Sequence, residues 1–333
     1  MKKFAVILLI ILTLAACDNA HYTEYGGEIT AVSGEELTAM SIAQIEAEEK
    51  KKQDEAEIEQ LISESEAQLA ALTIADRMGG TVKVPESKNL RVVSTTPAAT
   101  EILAGLGLLE NIIAADMNSA DVPGIAPEIC GLDMMHLNTQ YIADLSPDIV
   151  IIGEISQKDF DPLGELKEMG IYTAFIPSSN SIEGIKMDIE FLAGLTGTAD
   201  KGFELISEIN TDLLYIEEII ADAPVKFVLF TVAEEPEIYA VGDNNFMADM
   251  ISRAGGQTAL AGDTGFVKLT AEEIAAITNI DIYITNANAD NPDYAYVDTS
   301  LTSRPSQNIT KGVLELAKII HPELFNVTEE IAA

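Results

Sequence analysis

The chain has 333 residues, 47% of them hydrophobic, and its 19 basic and 55 acidic residues give a formal net charge of −36. That length suffices for two lobes of ordinary domain size. The charge argues against nucleic acid as a partner and offers anionic lipid headgroups no basic patch, so any membrane attachment has to come from a lipid.

In chain order, Lys2 and Lys3, an apolar run from Phe4 to Leu14, and Ala15-Ala16-Cys17 supply the three parts of a secretory signal. The run is too short to span a bilayer. With cysteine in the last place the segment looks like a bacterial lipoprotein signal: residues 1–16 are removed and the thiol of Cys17 carries lipid. An ordinary signal peptide with an incidental cysteine is the alternative. The expected location is extracytoplasmic, anchored by lipid to the outer face of the cytoplasmic membrane. Asp18 resembles the residue that retains lipoproteins on the inner membrane of diderm bacteria, and in a monoderm envelope it carries no such meaning. With Cys17 assigned to the anchor, Cys130 has no intrachain disulfide partner and reads as a small buried hydrophobe.

Residues 17–88 read as a tether and an acidic helical spacer. Asp18 to about Gly34 is Gly-, Thr- and Ser-bearing without apolar period. Glu35 to Arg77 is rich in Ala, Glu, Gln, Lys and Ile, with Ile58, Leu61, Ile62, Leu69 and Leu72 at helical spacing and Gly79-Gly80 as the stop. About 40 helical residues would reach roughly 60 Å. A partner-binding coiled coil is the sharper alternative, but the apolar heptads are broken across Glu48 to Glu57.

An α/β body follows. Strands are expected at Leu90–Ser94, Ile112–Ala115, Asp148–Ile152 and Tyr172–Ile176, alternating with helices at Ala98–Leu106, Phe160–Met169 and Ile182–Leu195. This alternation implies a parallel, doubly wound sheet in an N-terminal lobe, residues 89–198. Asp200 to Asp222 carries apolar residues at helical spacing with no proline before Pro224, so one long helix, residues 199–223, is expected to join two lobes. The pattern restarts in a C-terminal lobe, residues 224–333: strands Lys226–Val232, Glu237–Val241 and Ile280–Thr285, with helices Phe246–Arg253, Ala271–Ile277 and Thr310–Ile320. The fold class is therefore α/β, two doubly wound lobes joined by a single helix and preceded by a helical stalk. Two lobes on one crossing leave a cleft, and ligands of such sheets gather at the carboxyl ends of strands.

Enzyme motifs are absent: there is no Gly-x-Ser-x-Gly elbow, no Gly-rich phosphate loop ending in Lys-Ser or Lys-Thr, no His-Glu-x-x-His and no cysteine pair at zinc spacing. Of three histidines, His21 lies in the tether, His321 ends the last helix, and only His136, after Met134 and Met135, is a candidate near a cleft. No catalysis, resident cofactor or bare metal site is expected.

Four stretches in order carry a family resemblance: Val92-Val93-Ser94-Thr95-Thr96-Pro97-Ala98-Ala99-Thr100-Glu101 with Gly105-Leu106-Gly107; Ile142-Ala143-Asp144-Leu145-Ser146-Pro147-Asp148-Ile149-Val150; Leu166-Lys167-Glu168-Met169-Gly170; and Ser303-Arg304-Pro305-Ser306-Gln307 with Gly312 to Lys318 and His321-Pro322-Glu323. Together, over about Leu90 to Phe325, they resemble the ABC-importer binding proteins that capture iron–siderophore complexes, haem and cobalamin. The resemblance implies a lipid-tethered receptor that holds a small-molecule metal chelate between its lobes, closes only slightly, and passes it to a permease driven by a cytoplasmic ATPase. A non-transport envelope or adhesive lipoprotein is the rival of a different class.

Fold and resemblance together nominate cleft residues. Ser94, Thr95 and Thr96 stand before a helix N-terminus, where they would meet a polar or anionic group or simply cap the helix. Asp116 and Asn118, Glu154, and Ser178 follow the next three strands; Glu234, Asn244, Asn245, Phe246, Phe266 and Asn286 occupy the corresponding places on the second lobe. Arg304, one of few cations, would pair with a carboxylate of an iron chelate or a haem propionate, or cap the final helix. Met135 lies where haem-binding relatives place an axial methionine. Permease docking, which the resemblance assigns to one glutamate per lobe, falls on Glu272 and on Gln140, a departure that puts the two-glutamate contact in doubt. The chain has no tryptophan for the indole platform that cobalamin and hydroxamate receptors of this class often use, and no histidine in the second-lobe loops to join Met135 on haem; the expected order of ligands is iron chelate, then haem, then cobalamin.

Overall fold

A computed structural model describes residues 21–25, 28–32, 50–52, 73–75, 77, 79–85, 89–154, 161–234 and 237–325. Cys17, the signal and most of the expected spacer lie outside the described residues; residues 50–52 of the spacer are helical. The chain divides into two units, Met1–Ala71 and Leu72–Ala333.

In the first unit, β1 (His21–Tyr25) and β2 (Glu28–Val32) pair antiparallel with His21 opposite Val32. Composition predicts a tether here. Tyrosines on the first arm and β-branched residues on both, linked by Gly26-Gly27, favour a hairpin over coil.

The second unit opens with another hairpin, β3 (Thr73–Ala75) and β4 (Thr81–Lys83). The helix expected as far as Arg77 therefore does not reach it: the chain is strand from Thr73. Thr73, Ile74, Thr81 and Val82 are β-branched, and Gly79, at φ +79°, serves the turn rather than a helix stop. Val82 is buried and Ile74 packs against the main core.

The first sheet has the order β7-β6-β5-β8-β9, all parallel: β5 (Val92–Ser94), β6 (Ile112–Asp116), β7 (Cys130–Leu132), β8 (Ile149–Gly153) and β9 (Thr173–Ile176). β5, β6 and β8 are almost wholly buried and read as apolar runs, broken only by Ser94 and Asp116 at the ends of β5 and β6, as suits strands covered on both faces. The helices are α1 (Pro97–Gly105), α2 (Thr139–Asp144), α3 (Pro162–Glu168) and α4 (Ile182–Thr196). Their starts are chemical: Thr96, Asn138, Asp161 and Ser181 each accept a hydrogen bond from a backbone N–H inside the first turn. The chain winds outward from β5 in both directions, which makes the end of β5 a topological switch point.

α5 (Ala199–Ile220), 22 residues and about 33 Å long at 1.5 Å per residue, joins the two halves. Its Ile209, Leu213 and Ile216 enter a core that also holds Val92 and Ile151 of the first sheet and Val228 and Phe230 of the second. Each such side chain stabilises the union by about 1.5–3 kcal/mol.

The second sheet comprises β10 (Lys226–Ala233), β11 (Ile238–Val241), β12 (Gly256–Thr258), β13 (Phe266–Leu269), β14 (Ile282–Thr285) and β15 (Ala295–Tyr296). Its order is β13-β11-β10-β14-β15, with β12 also on β10. β10 runs parallel to β12 and β14, but β11 is antiparallel to both β10 and β13, so this sheet is mixed. The short link between β10 and β11 leaves no room for the helix a parallel crossover needs. α6 (Phe246–Arg253), α7 (Ala271–Ala276), α8 (Thr299–Thr302) and α9 (Ile309–Ile320) complete the lobe. Among the described residues no helix is long and apolar enough to cross a membrane.

Candidate functional site

A cavity of about 740 Å³ opens where the carboxyl ends of the first sheet face the second lobe. Thr96 follows β5, Met117 and Asn118 follow β6, Glu154 follows β8, and Pro177 and Ser178 follow β9; Phe246, Asp298, Ser303 and Arg304 close it from the other side. A neighbouring cavity of about 690 Å³, with Glu234, Asn286, Asn288, Asn291 and Tyr294 in its wall, shares Thr299 and Ser303 with the first. Both volumes lie within the range of small-molecule sites.

The nominated residues sort by what their side chains touch. Thr96 lines the cavity, and its Oγ1 accepts from the Ala99 N–H at 3.2 Å. Ser94 and Thr95 are fully buried and turned away: Thr100 Oγ1 donates to Ser94 Oγ at 2.8 Å, and Thr95 Oγ1 accepts from the Gly153 N–H at 3.2 Å. Asp116 is likewise fully buried; Oδ1 accepts from the Asn118 N–H at 2.9 Å and Oδ2 from the Met134 N–H at 3.2 Å, so it shapes two loops instead of meeting ligand. Asn245 caps α6 through Ala248 N–H and donates to the Gly242 and Gly265 carbonyls. In all four a short polar group beside a strand end satisfies buried backbone donors or acceptors, or another buried hydroxyl.

Glu154 and Ser178 stand together in the wall, with the Ser178 N–H donating to Glu154 Oε2 at 3.3 Å. Asn244, at φ +57°, accepts from Asn180 Nδ2 at 3.0 Å across the lobes. Arg304 is engaged within the protein: its Nη2 donates to the Asn118 carbonyl at 3.0 Å and pairs with Asp121. Phe246 lines the main cavity, whereas Phe266, on the outermost strand β13, lines neither.

Met134, not Met135, lines the cavity. Met135 is exposed, and His136, 72% exposed, sits 2.8 Å from Asp133, whose carboxyl the histidine hydrogen bond holds below its usual range. Glu272, in the first turn of α7, and Gln140, donating to Asp144 at 2.9 Å, are both at the surface. Cys130 is half-buried rather than buried, with its thiol pushed up chiefly by desolvation.

The sequence reading misses one arrangement behind the wall. Asp188, 2% exposed, lies on the buried face of α4 and touches the cavity. Arg77 Nε donates to it at 2.6 Å, and Ser179 Oγ donates to its other oxygen. Burial pushes the Asp188 carboxyl up, opposed by these two partners. The signal is present: a lone carboxylate among Ile182, Ile185, Ile189 and Leu192 demands a buried partner, but its cation stands 111 residues away. Among the described residues no group of three or more His, Cys, Asp or Glu forms a metal site.

The model of the periplasmic binding protein family matches residues 92–309. The chain is 27% identical over 274 residues to the uncharacterized ABC transporter substrate-binding lipoprotein YvrC of Bacillus subtilis strain 168, covering 76% of this chain and 87% of that one. Among solved structures it resembles a possible iron-binding (periplasmic solute-binding) protein of Staphylococcus epidermidis ATCC 12228, with TM-score 0.56, 24% identity, and 69% and 98% coverage. It also resembles the periplasmic heme-binding protein RhuT of Roseiflexus sp. RS-1, with TM-score 0.62, 19% identity, and 71% and 99% coverage. The two structural likenesses establish the fold.

Proposed function

Because this chain belongs to the periplasmic binding protein family, we propose that it captures an iron chelate of siderophore type in the cleft and delivers it to an ABC importer. It is a solute-binding protein and not an enzyme. The observation that carries the reading is the 740 Å³ cavity between the lobes, at the switch point of a parallel sheet and walled by both halves. Lipid on Cys17 would hold the receptor at the outer face of the cytoplasmic membrane, and the surface positions Glu272 and Gln140 are the proposed contacts with the permease, whose ATPase lies across the membrane.

An iron chelate is favoured over haem. A chelate brings its own iron ligands and asks the protein for polar and apolar walls only. Haem asks for an axial side chain; Met135 and His136 line neither cavity and His321 is buried against Gly255, so among the described residues the main cavity offers haem the thioethers of Met117 and Met134 and no histidine.

The test is a titration of purified residues 18–333 with ferric siderophores, haem and cobalamin, read by quenching of the nine tyrosines in a chain without tryptophan. Tyr294 stands in the wall of the adjoining cavity and reports occupancy directly. Saturable binding of a ferric siderophore at micromolar or tighter affinity is expected. Absence of binding to every member of the panel refutes the assignment.

A further inference from the structure

We infer that this receptor selects its solute by charge, taking a neutral or cationic chelate and seating a cationic arm of it at Glu234 in the adjoining cavity. The inference rests on the cleft being the solute site.

Among the described residues the main cavity presents the carboxylates of Asp121, Glu154, Asp188 and Asp298, and one cation, Arg304. Arg304 is committed to Asp121, and Asp188 is answered from behind by Arg77. Glu154, Asp298 and Glu234 have no basic partner among the described residues. Their hydrogen-bond donors are neutral: the Ser178 N–H for Glu154, and the Ser300 N–H and hydroxyl for Asp298. The hydrogen bonds from Ser300 hold Asp298 below the usual carboxylate range, so its charge persists. An anionic chelate entering this cleft would meet negative charge that no described residue compensates, and find its natural partner already occupied.

Glu234 gathers the most donors of the three, all of them neutral, and its Oε2 is the less engaged oxygen, reached only by long amide contacts. Thr285 and Thr231 hydroxyls donate to Oε1 at 3.0 and 3.3 Å, and the Asn288 and Asn291 amides approach only to 3.4 and 3.5 Å. These amide contacts are at the long limit of a hydrogen bond, so the carboxylate retains acceptor capacity toward about 690 Å³ of open space. Burial and the Glu234 charge push the Tyr294 phenol up, leaving it a neutral hydroxyl beside the carboxylate. An ammonium or similar donor would make a charge-assisted hydrogen bond here, about twice as strong as a neutral one. The shared wall of Thr299 and Ser303 lets a molecule seated in the main cavity extend an arm into this one.

The test uses purified residues 18–333 and three probes: a ferric trihydroxamate bearing a terminal ammonium, its N-acetylated neutral counterpart, and a ferric tricatecholate. The ammonium form is expected to bind about tenfold tighter than the acetylated form, with the tricatecholate weakest. Glu234→Gln is expected to bring the ratio of the first two close to one, and raised salt to narrow it. Equal affinities, a tighter tricatecholate or haem, or a ratio unchanged in Glu234→Gln overturns the inference while leaving the transport reading standing. If no probe binds, and neither haem nor cobalamin does, both fall together.

Discussion

Replacing Arg77 by methionine keeps most of the apolar stem and removes the guanidinium that answers Asp188. The carboxylate is 2% exposed, and the Arg77 side chain is itself only 17% exposed. Removing one partner of a buried pair typically costs about 3–5 kcal/mol. Here Ser179 still donates to the carboxylate and the carboxyl can take a proton, which places the loss near the lower end, about 3 kcal/mol. For a body of this size that corresponds to a fall in Tm of roughly 6–12 °C.

The pH dependence has a definite sign. Burial already raises the folded Asp188 carboxyl above its ordinary value of 3.8, against the pull of Arg77 and Ser179. Without Arg77 it rises further. Folding then disfavours the charged form more strongly, so the deficit is present at neutral pH and vanishes as pH falls below the unfolded value, where Asp188 is protonated in both states. Urea unfolding of residues 72–333 should show the full loss at pH 7 and little at pH 3.5, and Asp188→Asn in the Arg77→Met background should recover most of it. An unchanged urea midpoint at pH 7, or an equal loss at both pH values, would refute the reasoning.

Gly153→Ala places a Cβ 1.9 Å from Thr96 Cγ2 at the cleft floor, with an expected loss of about 1–3 kcal/mol in urea unfolding and weaker chelate binding. Asn308→Ala strips the 2.7 Å amide donor from Glu101, whose other oxygen is already unpartnered, and should cost about 1–3 kcal/mol by the same assay. The cycle built from Arg304→Ala and Asp121→Ala should return a coupling of about 1 kcal/mol or less, because Asp121 is 59% exposed and screened by solvent. Cys17→Ser should move the protein from the membrane fraction to the soluble one in cell fractionation.

The first sheet was legible because strands covered on both faces are written as apolar runs, and α5 because 22 residues at helical spacing leave little ambiguity. Short elements were not. β7, β12 and β15 span two or three residues and owe their pairing to strands already in place. The cleft was legible at the level of loops, since strand ends fix which segments meet there. It was not legible at the level of side chains. In Ser94-Thr95-Thr96 three adjacent hydroxyls look alike in sequence, and only the third lines the cavity because the strand's pleat and the buried Thr100 take the other two. Arg77 escaped notice for a different reason: its partner is tertiary, reached through a hairpin that Ala- and Glu-rich flanking sequence disguises as helix.

The contacts between the lobes fall into two chemical kinds, and the division bears on how the cleft admits a solute. Glu101, 6% exposed, accepts from Gln307 and Asn308 of the opposite lobe, Thr310 donates to Asp212 of α5, and the Ile182 N–H donates to Asp249 at 2.7 Å. These contacts adjoin a core that already contains residues from both sheets and α5. Asn180 to Asn244 is instead made between exposed groups, and Arg304 to Asp121 joins a mostly buried guanidinium to an exposed carboxylate. Opening the cleft by breaking only the second kind forfeits about 0–1 kcal/mol per contact. A wide rotation would have to expose apolar surface of the shared core at about 25 cal/mol per Å². The inexpensive motion is therefore a small one, in which the exposed pairs release while the buried ones hold. An incoming solute then has to out-compete Asp121 for Arg304, or leave that pair intact and bind through the carboxylates that remain.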